Sequence, residues 1–325
     1  MVRGLRNRLS SRPPIWLGGP LALAVLGFGF GLQQVQLRSA AVDDPMLDAL
    51  LADSGGPPLS QLQTARATQR TRTEPGFPMR VSLTEPAPGP ALPLEIRIAL
   101  LSAGAFPQIT STGPWQLRSA TGAVLQQGRA GEPVETALAR QSGEAWLITS
   151  PQGSLQVNGK GYSGRLRLIP ADGGVQVINH LSLESYIASV VGSEMPSSWP
   201  MDALMAQAVA ARSYALAHMA RPASRHWHLG DTTRWQAYTG QERINGRTLQ
   251  AAKRTTGLIL SYQGAIVESL YAANRQISLE AHGNLGASMS QQGARSLAEE
   301  GHRYNAILGR YYPGASLARL RAGAG

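Results

Sequence analysis

The chain contains no cysteine among its 325 residues. Disulfides, thiol nucleophiles and cysteine-held metals are therefore excluded, and redox compartment cannot be read from it. Aromatic side chains make up only 6% of the chain and charged ones 15%. No basic patch interleaved with aromatics is present, so a nucleic-acid partner is not expected. The sequence also lacks HExxH, a P-loop, a G-x-S-x-G nucleophile elbow and a Rossmann glycine fingerprint. No internal repeat is visible. Ser213 and Ser290 have no histidine beside them that would make either a nucleophile, and both read as helix-terminus hydrogen-bonders. His226, His228 and Asp231 have a spacing that could ligate a metal. Two histidines and one carboxylate in a single loop read better as a solvated turn, and neither metal nor cofactor is expected.

What is present begins with charge. The formal net charge is +10, and Arg3, Arg6, Arg8, Arg12 and Arg38 supply about half of it around an apolar stretch from Ile15 to Leu32. A basic end before an apolar segment is an export signal whose basic side stays inside. Its length lies between a signal-peptide core and a membrane span. Ser39-Ala40-Ala41 offers a cleavage pattern, so residues 1–40 are a signal peptide or an uncleaved inner-membrane anchor. The rest of the chain is expected outside the cytoplasm, in the periplasm. The remaining basic excess, spread along the chain, suits an anionic envelope or glycan strand.

Residues 41–90 mix proline, glycine, serine and threonine without an apolar period and read as a solvated linker. From Leu94 the texture changes to short β-type runs, with Asn158-Gly159 and Asp172-Gly173 as hairpin turns and Gln263-Gly264 as a later one. The fold class expected is α+β: an antiparallel β-rich part over 91–180, packed on a helical core with further hairpins over 181–320. Ser288-x-x-Gln291 has capping-box spacing, which predicts a helix from there to Gly301.

The most informative residue is Glu194. A helical period from Leu183 places Ile187, Val190, Val191 and Glu194 on one stripe, and Pro196 and Pro200 close that helix and open another. A carboxyl at the edge of a core is poorly solvated, which raises its pKa and suits it to general acid chemistry. On the second helix Met201, Met205, Ala208, Val209 and Leu216 share a face that includes Arg212. A buried guanidinium keeps its charge and needs an anion, and Glu194 is the nearest candidate across the turn. Gln207, Tyr214 and His218 form an opposite polar row beside Ala211 that could line a groove.

The run LSLESYIASVVGSEMPSSWPMDALMAQAVAARSYAL resembles the SpoIID/LytB family, the stage II sporulation protein D and amidase-enhancer proteins. Glu184, Tyr186, Glu194, Met195, Pro196, Gln207, Arg212 and Tyr214 carry the likeness. It continues in DTTRWQAYTG, with Gln236 and Tyr238, and in MSQQGA, with Met289, Ser290, Gln291, Gly293 and Ala294. Two departures stand out. His282-Gly283 is separated from Met289 by NLGAS, so His282 does not hold the usual spacing. Arg234 and Trp235 stand where some members place a histidine-cysteine pair, so a family-type zinc site cannot be built.

The resemblance implies a lytic transglycosylase acting on peptidoglycan glycan strands, with Glu194 as the single acid and base. It implies that Gln207, Arg212, Tyr214, Gln236, Tyr238, Ser290 and Gln291 hold glycan hydroxyls or stabilise oxocarbenium charge. The same family implies an alternative: a non-catalytic wall-binding protein that enhances an N-acetylmuramoyl-L-alanine amidase. Asp231 and Glu268 are further carboxylates that could approach the site.

Overall fold

The computed structural model describes residues 82–90, 92–273 and 288–320. The apolar segment from Ile15 to Leu32, the cleavage pattern at 39–41, most of the linker and His282 lie outside the described residues.

Seven strands form the main sheet. They are β1 (Glu95–Ala99), β3 (Trp115–Ser119), β4 (Val124–Gly128), β5 (Ala145–Thr149), β8 (Arg165–Ala171), β9 (Gly174–Ser182) and β10 (Leu229–Gly230), in the order β10-β1-β9-β8-β5-β3-β4. Every pairing is antiparallel except β1 with β10. Side chains alternate between buried and half-exposed on β3 and β5, whereas β9 is buried on both faces along most of its length. Ile96, Ile98, Leu117, Leu147, Leu166 and Leu168 are buried on the inner face. A three-stranded sheet of β2 (Ile109–Ser111), β6 (Leu155–Val157) and β7 (Lys160–Tyr162) adds to the same core. The three expected turns form, and both central residues of each, Asn158-Gly159, Asp172-Gly173 and Gln263-Gly264, take positive φ. That geometry matches the twist of a two-residue hairpin. The β texture hid one helix, α1 (Thr136–Ser142), capped by Glu135 and ended by Gly143 in the left-handed region.

At Leu183 the chain passes from β9 straight into α2 (Leu183–Glu194), with Ser182 accepting from the Ser185 N–H as N-cap. Six residues with two prolines separate it from α3 (Met201–Ala220), which starts immediately after Pro200. The expected split of α3 into apolar and polar faces does not occur, because residues 203–217 are buried on all sides. A helix surrounded by partners has no solvent face to keep polar, and α3 is packed by α2, α4 (Gly246–Arg254), α5 (Gln291–Glu299), α6 (Tyr304–Tyr311) and β11 (Leu258–Tyr262). Strand β11 lies between β12 (Ala265–Ile266) and β15 (Ser316–Arg319), and β13 (Leu270–Ala272) pairs in parallel with β14 (Ser288–Ser290). The mixed α+β architecture read from the sequence is the one observed.

Two local expectations are corrected. Ser288 does not cap a helix: residues 288–290 are strand, and Ser290 is the N-cap of α5, accepting from the Gly293 N–H. Pairing with Leu270–Ala272 holds that segment extended for two residues longer than the capping spacing suggested. Residues 82–90, though mostly exposed, are tied down at Leu83 and are not wholly a free tether. Leu83 is buried, its N–H donates to the Asn305 carbonyl, and Asn305 Nδ2 returns a 3.0 Å bond to the Leu83 carbonyl. Among the described residues no helix is long and apolar enough to cross a membrane.

Candidate functional site

The site begins at the last residue of α2. Glu194 is half-buried, and both carboxyl oxygens are held. The Ala237 N–H donates to Oε1 at 2.8 Å, and Gln291 Nε2 donates to Oε2 at 3.1 Å. Burial pushes this carboxyl above its ordinary value, and the two hydrogen bonds, which favour the ionised form, pull against that rise. Among the described residues no charged neighbour contributes to the shift. The result is a carboxyl that takes up a proton more readily than an exposed glutamate and is still aimed by two donors.

Ala237 lies in the 236–245 segment, which crosses close over α2. A Cβ built on Gly192 would come within 2.2 Å of the Arg243 carbonyl oxygen. The helix must therefore present bare backbone there for the segment to reach Glu194.

Beside the carboxyl runs a directed hydrogen-bond chain. The Tyr186 hydroxyl donates to Gln236 Oε1 at 2.9 Å, and Gln236 Nε2 donates to the Ala211 carbonyl at 3.1 Å and to the Tyr271 hydroxyl at 2.7 Å. The Ala211 carbonyl can only accept, which fixes which end of the Gln236 amide is nitrogen. Because Tyr271 accepts from Gln236, its own proton remains to be donated elsewhere. Burial, together with the nearby Glu194 charge, holds that hydroxyl well above its usual range, so it stays a donor. Tyr271 is half-buried at the edge of this network, and its ring lies 6.5 Å from Tyr214. The sequence reading missed Tyr271 and the Ala237 N–H. A backbone donor leaves no mark in a sequence, and a tyrosine in a short strand looks like any other packed aromatic.

The expected site residues divide into three groups. Gln291 touches Glu194, and Tyr214, buried on α3, stands near Tyr271 and stacks 4.5 Å from His218. Gln236 and Tyr238 are buried behind this layer. Tyr238 is in ring contact with Tyr162 and Tyr186 and donates to Asn179 Oδ1. Ser290 caps α5, which positions Gln291. Gln207 is fully buried, and neither end of its amide has a partner among the described residues.

Arg212 is where the structure departs most from expectation. It does not pair with Glu194. Its Nε and Nη2 form a fork on Glu184 at 3.0 and 2.7 Å, and its remaining donors reach the carbonyls of Ala208, Leu258 and Ala252. Helix geometry explains the choice. Glu194 ends α2, whereas Arg212 lies eleven residues into the returning α3, about 16 Å along the axis at 1.5 Å per residue. Glu184, ten residues back along α2, is the acid at matching height.

The loop histidines are also turned apart. His228 Nε2 faces the Arg97 guanidinium, His226 faces Arg225, and Asp231 accepts from the N–H and hydroxyl of Ser102. Among the described residues no group of three His, Asp or Glu is disposed to hold a metal. Glu268 bonds Arg221 and lies 3.7 Å from His218.

Comparison with known proteins bears on this same stretch. The family described as Stage II sporulation protein, SpoIID, matches residues 171–262. An uncharacterized protein of Brachyspira hyodysenteriae is 37% identical over 128 residues, covering 39% of this chain and 35% of that protein. The amidase enhancer of Bacillus subtilis is 32% identical over 102 residues, covering 31% of this chain and 14% of the enhancer. The matched stretch thus spans about a third and about a seventh of those relatives. The family match contains β9, α2, α3 and the segment carrying Gln236 and Ala237, whereas Tyr271 and Gln291 lie beyond it. Over residues 171–262 the chain is similar to the SpoIID family, and part of it is similar to a protein named as an amidase enhancer.

Proposed function

We propose that the protein cleaves peptidoglycan glycan strands without water, as a lytic transglycosylase, with Glu194 as both acid and base. The observation that carries the reading is a single half-buried carboxyl whose affinity for protons is raised by burial while two neutral donors aim it. Hydrolases that use two carboxylates need the second across the bond. Here one group serves both steps. Protonated Glu194 gives its proton to the glycosidic oxygen as the bond from C1 breaks. The resulting carboxylate then takes the proton of the sugar's own C6 hydroxyl as that oxygen bonds to C1, closing a 1,6-anhydro ring. The proton returns to where it began, which favours a carboxyl with a pKa lifted toward the working pH. Tyr271, held as a donor by Gln236, is placed to bind a substrate oxygen, and Gln291 and Tyr214 complete the polar wall. Arg212 serves the fold that aligns α2 with α3 and is not assigned a glycan contact. The address that fits this chemistry is extracytoplasmic, reached through the N-terminal segment.

The test is release of anhydro-terminated products from purified peptidoglycan by the wild type and by Glu194→Gln, read by mass spectrometry. The amide keeps the size and hydrogen bonding of the acid but cannot transfer its proton. The expected loss is about 10² to 10⁴ in rate with folding intact. Full activity in the variant would overturn the assignment. A second reading has its own support, since one relative is named as an amidase enhancer. On that reading the wild type would yield no anhydro ends and would raise the turnover of a cell-wall amidase added to the same assay.

A further inference from the structure

The outer face of the main sheet carries a second constellation, built by different strands from those that lead to Glu194. Across β4, β3 and β5 the register pairs Gln127 with Gln116 and Gln116 with Ile148. Two residues along, Arg118 pairs with Trp146, and Trp146 pairs with Arg167. Paired residues share a face, and so do residues two apart on a strand. All of these side chains therefore lie on the side opposite buried Leu117, Leu147 and Leu166. Gln116, Gln127, Arg129 and Glu132 line a cleft of about 530 Å³ at this end of the sheet.

The groups in and beside the cleft are unevenly satisfied. Among the described residues Arg118 donates only to uncharged acceptors, Gln116 Oε1 at 3.1 and 2.6 Å and the Gly122 carbonyl at 3.3 Å. Arg129 is exposed, and its guanidinium makes no hydrogen bond or ion pair among the described residues. The Gln127 amide and Gln116 Nε2 likewise have no partner there. Glu132, the carboxylate of the cleft, is turned onto the Arg129 N–H. On the neighbouring strands the charges are already matched, Arg167 by Glu144 and Arg165 by Glu95. Trp146 lies beneath both guanidiniums, 4.8 Å from that of Arg165 and 5.7 Å from that of Arg167. Two guanidiniums that form no ion pair among the described residues thus flank two amides with open hydrogen-bonding capacity, next to an aromatic ring, with Glu132 as the one carboxylate of the cleft.

We propose that this face is a second binding site, taking a polysaccharide strand that bears carboxylates. Guanidinium forks bind carboxylates bidentately, and side-chain amides match the alternating donor and acceptor character of sugar hydroxyls. A single tryptophan offers no ladder for stacking successive bases, which disfavours single-stranded nucleic acid as the occupant. The proposal takes from the functional reading above only the nature of the polymer. The site itself would hold substrate, or anchor the protein on it, away from the Glu194 groove.

The experiment measures affinity of the full chain for amidase-stripped glycan strands, which keep their lactyl carboxylates, and for uncharged chitin oligosaccharides of equal length. The Arg118→Gln/Arg129→Gln double variant should bind the carboxylate-bearing strand at least about tenfold more weakly, since two charge-assisted contacts are lost. Its affinity for the uncharged oligosaccharide should not change. Gln127→Ala should weaken binding to both. Wild-type affinity in the double variant would overturn the proposal. So would equal affinity of the wild type for the two glycans, or equally tight binding of single-stranded DNA of the same charge. Absence of anhydro products with these affinities intact would defeat the cleavage reading and leave this one standing.

Discussion

At the scale of single residues, two carboxylates fifteen or so ångströms apart along one helix have different tasks. Glu184 neutralises Arg212, and among the described residues Glu194 has no charged partner. Glu184→Ala would strand a fully buried guanidinium, at a cost of about 3 to 5 kcal/mol. Arg212→Met should cost less, because the Glu184 side chain is 30% exposed and can turn to water. Neither change should move the pH at which cleavage gains or loses its acid, since neither group touches Glu194. Chemical denaturation and a pH–rate profile separate these effects, and a shifted profile in either variant would show the two carboxylates to be coupled. Tyr271→Phe makes a complementary expectation. Removing the hydroxyl leaves Gln236 bonded to Tyr186 and Ala211, so the melting temperature should hold while turnover falls by roughly tenfold or more, as for lost transition-state donors. An unaffected rate would remove Tyr271 from the site.

At the scale of elements, the close crossing of α2 by the 236–245 segment decides whether Glu194 is aimed. In an ordinary helix interior Gly→Ala stabilises by about 1 kcal/mol. At Gly192 the added methyl would sit 2.2 Å from the Arg243 carbonyl oxygen, a backbone atom that cannot swing away. Overpacking of this kind costs about 1 to 3 kcal/mol, so the clash should win and Gly192→Ala should destabilise. It should also weaken the Ala237 N–H bond to Glu194, lowering activity by more than the stability loss explains. A variant with raised stability and full activity would show that the segment relaxes freely.

At the scale of the whole molecule, the pH response follows from buried bases. Burial, with Arg97 and His180 nearby, pushes His228 down to about 3, and burial likewise lowers His180. For a base whose folded pKa is depressed, the stabilisation is present above the unfolded value near 6.5 and is lost as pH falls through the folded one. Glu194 has the opposite sign: its raised pKa contributes stability at acid pH that is lost as pH rises through it. Two histidines outweigh one glutamate, so the denaturant midpoint should fall steadily from pH 7 to pH 4. His228→Asn should flatten that decline even if its midpoint at pH 7 is lower, and an unchanged slope would show His228 to be protonated in the fold. Glu194→Gln should raise stability more at pH 7 than at pH 4.

Much of the fold and some of the site are legible in the amino-acid sequence. Period-two runs with Asn-Gly and Asp-Gly turns specify hairpins because only residues tolerant of positive φ fit between the strands. The stripe ending at Glu194 and the prolines after it specify α2, the turn and the start of α3, since those are properties of local geometry. What tertiary structure alone decided was who meets whom. Arg212 takes Glu184 because an antiparallel helix pair matches residues by height from the turn and not by nearness in the chain. Gln207, read as part of a polar row on α3, disappears into the interior because five elements surround that helix, and no periodicity counts neighbours. The Ala237 N–H and the Tyr271 hydroxyl reach the site through approaches made 43 residues from Glu194 and 35 from Gln236. Glu194 was therefore legible as a carboxyl at the edge of a core. The donors that aim it belong to a surface that exists only once the chain has closed on itself.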